Sequence, residues 1–203
     1  MIRRISEKDG RLSKGREMRE KILHCVLEIA GKKGFSALTA STLSGKIGIS
    51  KANLFHHFRN MSEIRVEACL YFLKIIRPKA IEEKEYDDPR TYLIELMQGI
   101  SVFLETNSDI VKGYHIICDN EARSNEEFMR LIDTTVQNNK GMVKSKLRKI
   151  MNLDENDPET EKVLFCLDIA REGYIVYLND SFMKDKVLES WNTLVDIMLE
   201  KLR

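Results

Sequence analysis

Between Thr39 and Phe58 the chain reads TASTLSGKIGISKANLFHHF, and Lys51, Asn53, His56 and His57 fall there within seven positions. Lysine neutralises phosphate, asparagine offers the donor and acceptor pair that matches an adenine edge, and histidine can donate to a phosphate oxygen. No nucleophile, base and acid are grouped as turnover would require, and the scattered glycines form no phosphate loop. Adjacent histidines diverge by about 100° on a helix, so His56 and His57 do not share a metal. His24 and His115 stand far from them and read as ordinary surface or core residues. The chemistry on offer is recognition of a polyanion, with no metal and no cofactor expected.

Two short helices must hold those side chains. Leu43 and Ile47 sit one helical turn apart, Gly48 permits a tight turn, Ile49 plugs it from inside, and Ser50 caps the next helix. Leu54 and Phe58, four apart, return that helix to the same small core. Lys51, Ala52, Asn53, Phe55, His56 and His57 then point elsewhere, as the N-terminal residues of a recognition helix do when they reach bases and phosphates. Thr39, Lys46, Ser50 and Arg59 flank them and complete the expected DNA-binding set. An ordinary pair of packed helices would share the turn but not the charge around it.

The net charge of +1 conceals an asymmetry. Residues 1–61 carry 13 Lys and Arg against 5 Asp and Glu, a net +8, whereas the remainder is net −7. Five of the 13 lie before Gly15, so eight basic residues remain even if that stretch is only a tail. A basic block on an acidic body suits one part that meets a polyanion and one that does not. No apolar run approaches the length of a membrane span; the longest, Ala68 to Ile76, is broken by Lys74. The basic N-terminus has no apolar region behind it and is not read as a secretory signal. A cytoplasmic protein is expected. Cys25, Cys69, Cys118 and Cys166 lie more than forty positions apart without a C-x-x-C pair, so they read as small buried hydrophobes rather than disulfides or metal ligands.

Everything reads as helix. Asp88-Pro89 and Asp157-Pro158 each set a capping carboxylate before a proline whose missing N–H costs nothing at a first helical position. Ser124 to Glu127 forms a capping box, and Asn60 to Glu63 a weaker one. Behind these starts the apolar period is near 3.6, as in Ile22, Val26, Ile29 and Ala30. The spacing predicts an all-α chain of about nine helices, at 16–33, 40–47, 51–57, 61–84, 89–106, 108–120, 124–151, 158–179 and 184–202. The organisation expected is a basic flexible arm at 1–15, a helix-turn-helix domain at 16–60, and a helical domain at 61–203. The Ala68–Ile76 stretch has almost no polar side, so its helix must be buried between layers.

From Arg16 to Ile64 the sequence resembles the TetR family of bacterial repressors. The matching features are a first helix ending at Gly34-Phe35, Thr39 opening the second, the Leu43…Gly48-Ile49-Ser50 turn, Leu54-Phe55-His56-His57-Phe58, and Ile64. The resemblance implies a homodimer, a double-stranded DNA operator with two-fold symmetry, and de-repression when an unknown small-molecule effector enters the C-terminal domain. Two positions depart from the pattern. Phe55 stands where a tyrosine is usual, and Met61 where a lysine commonly touches the DNA backbone. Lys46, Lys51, Arg59 and the basic arm can compensate for those phosphate contacts.

In the second domain, Phe72, Met97, Phe103, Tyr114, Phe128 and Tyr174 are candidates for an effector cavity, although plain core would use the same residues. Gly173, Tyr177, Trp191, Val195 and Met198 on the last two helices are candidates for a dimer interface, and an intramolecular core would show the same stripes. A DNA-binding activator or nucleoid-associated protein without an effector is the first rival reading. A helical enzyme or carrier with an incidental basic N-terminus is the second. The charge asymmetry makes the first prediction. Affinity for DNA should fall linearly on a log–log salt plot, by about 0.9 per phosphate contacted, and Lys51→Ala should flatten the slope by about one unit. A flat salt dependence in a filter-binding or anisotropy titration would remove the electrostatic argument.

Overall fold

A computed structural model describes residues 2–77, 81, 83–122, 125–178 and 183–202, with side chains from Ser13 onward. The described residues form nine α-helices, one 3-10 turn and no strand. In order they are α1 (Ile2–Lys33), α2 (Ala40–Ile47), α3 (Lys51–His57), α4 (Met61–Ile75), α5 (Pro89–Thr106), α6 (Ser108–Glu121), α7 (Glu126–Met151), α8 (Pro158–Leu178) and α9 (Lys184–Lys201).

The caps account for most of the boundaries. Thr39 Oγ1 accepts from Thr42 N, and Ser50 Oγ from Asn53 N. Asp88 accepts from the N–H groups of Arg90 and Thr91, and Asp157 from those of Glu159 and Thr160. Asn60 Oδ1 takes the Glu63 N–H, while the Glu63 carboxylate reaches back to the Arg59 N–H. Three expectations need correction. The basic stretch 1–15 is helical from Ile2 onward, continuous with α1. Good helix formers fill it and no proline interrupts it, so propagation costs only the two glycines. The helix expected over 61–84 ends at Ile75, and Pro78 lies outside the described residues. Ser124, expected to cap α7, also lies outside them, and Asn125 Oδ1 does the capping by accepting from Phe128 N.

Packing divides the chain into two compact units, one running through Lys74 and resuming at Ser108–Ile132, the other made of Ile75–Asn107 and Asp133–Arg203. The helix-turn-helix therefore shares its unit with α4, α6 and the first turns of α7, beyond the boundary expected near residue 60. Its core is Ile22, Val26, Leu27, Ile29 and Ala30 of α1 with Leu43, Leu54, Phe58, Ile64 and Ala68, all buried. The α1 and α6 backbones touch. A Cβ on Gly31 would lie 1.9 Å from the Asp109 carbonyl oxygen, and one on Gly113 would lie 1.9 Å from that of Leu27. Residues 27 and 31 are one turn apart on α1, as 109 and 113 are on α6, so the two glycines admit each other's helix at a single crossing.

In the other unit α9 packs on α5 and α8. Trp191 is 1% exposed and donates its Nε1–H to the Leu93 carbonyl. Arg90 pairs with Asp196 at one end of α5 and Glu105 with Lys184 at the other, which fixes α5 and α9 antiparallel. Lys144 and Arg148 of α7 share Glu161 of α8.

The glycines make the second prediction. Gly113→Ala should destabilise the protein by about 3 kcal/mol, because a backbone carbonyl cannot rotate away as a side chain can. Gly141→Ala, mid-helix in α7 with open space around it, should stabilise by roughly 0.5–1 kcal/mol. Urea denaturation of both variants checks the contrast; equal effects would mean that the crossing is not tight.

Candidate nucleic-acid interface

Gly48 ends α2 with φ 79°, a left-handed conformation that costs a residue with a Cβ, and its N–H bonds the Ser44 carbonyl. The chain can then reverse within three residues and start α3 at Ser50. Leu54 and Phe58 are buried, while Lys51, Ala52, Asn53, Phe55 and His56 are exposed. Among the described residues the Lys51 and Arg59 side chains are held by no ion pair. Phe55 is 41% exposed beside them. It cannot hydrogen-bond a phosphate, but a phenyl ring can pack on a thymine methyl.

Two of the expected contacts are partly spent elsewhere. Lys46 Nζ is 2.7 Å from Glu28, which also holds Lys32. Its charge is thus neutralised within the fold, which weakens the case for Lys46 as a compensating phosphate contact. His57 is half-buried, and burial, with the nearby His56 and Arg19 charges, lowers its pKa. The half-buried His57 ring presents less of itself to a phosphate than the exposed His56, so the two histidines are not equivalent. Thr39 and Ser50 use their oxygens as caps, although each remains exposed.

The residue that positions the recognition helix was not legible as such in the sequence. Arg19 of α1 donates to the His57 carbonyl at the C-terminus of α3, lies 4.1 Å over the Phe58 ring, and pairs with Glu67 of α4 at 2.6 Å. A cation at a helix C-terminus meets the negative end of its dipole. One guanidinium therefore ties α1, α3 and α4 together. The available signal was its place three residues before Ile22, on the apolar stripe, where a charge needs a partner. Arg65, two residues before Glu67 on α4, pairs with the buried Glu121 of α6 and lies over Phe35.

Of the residues expected to line a cavity, Phe72, Tyr114 and Phe128 lie in the first unit and Met97, Phe103 and Tyr174 in the second. Phe72 stacks on Tyr114 at 4.2 Å; Tyr174 meets Trp191 edge-on. Phe72, Met97 and Phe128 are buried as packing. Hollows of about 620 Å³ along α7, about 660 Å³ beside Arg90 and Asp196, and about 370 Å³ between α1 and α2 are lined by none of the six. Trp191 and Val195, expected at a dimer surface, are core residues, because their helix turns that side to α5. Tyr177 is 60% exposed, Gly173 exposed and Met198 half-buried. Among the described residues no group of histidine, cysteine and acidic side chains can hold a metal, and no helix is long and apolar enough to cross a membrane.

Glu28 yields the third prediction. Hydrogen bonds from Lys32 and then Lys46 lower its pKa from 4.5 to about 2. A depressed carboxylate contributes stability above its unfolded value, and that contribution disappears as pH falls from about 4.5 to about 2. Glu28→Gln should therefore flatten that part of the acid-unfolding curve while freeing Lys46. An unchanged slope between pH 4.5 and 2 would show that the pair is inert.

The model of the family described as "Bacterial regulatory proteins, tetR family" matches residues 22–68. An uncharacterised HTH-type transcriptional regulator of Bacillus subtilis, YerO, is 32% identical over 69 residues, which are 33% of this chain and 24% of that protein. The alignment thus spans only about a quarter of the curated relative. Among solved structures, a TetR transcription regulator from Haloarcula marismortui superposes with a TM-score of 0.71 at 17% identity, covering 90% of this chain and 98% of that one. AibR, in complex with isovaleryl coenzyme A and operator DNA, gives 0.57 at 12% identity over 87% of this chain and 97% of that one. The family's model thus matches the helix-turn-helix segment over 22–68, and the fold of the solved TetR regulator extends over nine-tenths of the chain.

Proposed function

We propose that this regulator is a ligand-responsive repressor that binds a two-fold symmetric operator as a homodimer and is released by a small molecule. The observation that carries the DNA half is the outer face of α3, where Lys51, Asn53, Phe55 and His56 stand exposed on a helix whose pose is held by Arg19. Lys51 and Arg59 supply phosphate contacts, and Asn53 with His56 reads base edges. Thr39, Ala52 and His57 stand at the margin of this surface.

The dimer half rests on α8. Phe165, Ile169, Val176 and Tyr177 are each more than half exposed, and the exposed Gly173 lies among them with open space around it. Large apolar side chains gathered on one side of a helix suit an interface, and a glycine lets a second helix approach. Ile197 extends the apolar exposure to α9. The effector role is supported by the AibR complex, where a regulator of like fold holds isovaleryl coenzyme A together with operator DNA.

Asn53→Ala should cost about 1–3 kcal/mol on a selected operator and much less on random duplex. Equal losses would place Asn53 on the backbone or off the DNA. Tyr177→Asp should shift the mass in analytical ultracentrifugation from dimer to monomer while leaving the circular dichroism spectrum intact. A dimer that survives Tyr177→Asp and Ile169→Asp together would sink the α8 interface.

A further inference from the structure

Cys69 and Cys118, 49 positions apart in sequence, meet across α4 and α6 with their sulfurs 3.9 Å apart. The scattered spacing gave no hint of this pairing. Cys69 is fully buried and Cys118 half-buried, so the second thiol is the one a small oxidant reaches first. Tyr114, one turn before Cys118 on α6, is braced by stacking on Phe72. Here the surroundings favour ionisation of one sulfur. The neighbouring Cys69 thiol, and after it the Tyr114 hydroxyl, lower the Cys118 pKa against the opposing effect of burial, while the Cys69 value is raised.

We propose that Cys69 and Cys118 are a redox-active dithiol, oxidised by a peroxide to a disulfide that joins α4 to α6. The Cys118 thiolate attacks one oxygen of the peroxide: an S–O bond forms, the O–O bond breaks, and the departing oxygen takes up a proton as alcohol or water. Cys69 then loses its proton as its sulfur attacks the Cys118 sulfenic acid; the S–S bond forms and hydroxide leaves, protonated to water. Two thiols and one peroxide give one disulfide, one alcohol or water, and one water. Sulfurs now 3.9 Å apart must close to a bond of about 2.05 Å. The turn of α4 that would move also bears Arg65 and Glu67, the partners of Glu121 on α6 and of Arg19 beneath α3. Closing the bond therefore shifts the elements that set the recognition helix. This regulatory consequence rests on the DNA-binding reading above; the dithiol chemistry does not.

The test uses the full chain, reduced and desalted, treated with hydrogen peroxide and then alkylated with N-ethylmaleimide under denaturing conditions. Peptide mass spectrometry should find a Cys69–Cys118 linked peptide within one chain, with Cys25 still alkylated. Cys69→Ala should stop at a sulfenic acid on Cys118 that dimedone traps, and Cys118→Ser, at the more exposed position, should give neither product. On a duplex selected from a random library by the reduced protein, oxidation should weaken binding about tenfold, with recovery in dithiothreitol and no response in Cys118→Ser. Full alkylation of both cysteines after an exposure that oxidises the exposed Cys166 overturns the dithiol. A linked peptide with unchanged duplex affinity overturns the regulatory role. A linked peptide in a chain that selects no duplex at all supports the dithiol and counts against the DNA-binding reading instead.

Discussion

The helix-turn-helix unit depends on the contact of two backbones without side chains between them. Gly31 and Gly113 let α1 and α6 meet at the distance of carbonyl oxygen against Cα, which no other residue pair allows. From that crossing the rest of the unit takes its positions. The long α1 presents Ile22, Val26 and Ala30 to the helix-turn-helix, and α6 presents Glu121 and Cys118 to α4. Because α4 also receives Arg19 through Glu67, the recognition helix is braced on the same frame. A wider crossing would separate α4 from one of its two partners, since it grips both α1 and α6.

Charge in this unit does two jobs, and composition alone does not separate them. The first 61 residues carry a net +8, yet Arg19, Lys32 and Lys46 are bound to carboxylates of the same unit. Surface pairs of this kind contribute little to stability, about 0–1 kcal/mol each, but they withdraw cations from the field a phosphate sees. The partially buried Arg19 cluster differs because its guanidinium satisfies a helix C-terminus and covers an aromatic face as well. Lys51 on α3 and Arg59 just beyond it, in no ion pair among the described residues, remain the cations best placed to release counterions from DNA.

Local signals made much of the fold legible. Aspartate before proline, serine or threonine before an apolar period, and glycine after one locate helix ends through orphan backbone groups, and those groups are satisfied within a few residues. The outward face of α3 followed from the inward face of Leu54 and Phe58. Whatever depends on partners distant in sequence was hidden. Nothing local distinguishes Gly113, which admits a helix, from Gly141, which faces open space. Cys69 and Cys118 read as unrelated hydrophobes until the fold brought them together. Arg19 gave only the faint signal of a charge on an apolar stripe.

The second unit is harder to read for a different physical reason. Periodicity reports that a side chain leaves water, not what it leaves water for. Trp191 and Val195 turn toward α5, whereas Tyr177 and Ile169, of similar character, stay in solvent. A helix that packs on its own chain along one side and on a second copy along another must be apolar around most of its circumference. The α8 sequence, with Leu164 and Leu167 buried but Phe165 and Ile169 exposed, has that composition. Burial of the first pair is determined by this chain alone, and burial of the second requires a partner. For α8, exposure in the isolated chain therefore marks the candidate interface more directly than residue type does, because core and interface draw on the same side chains.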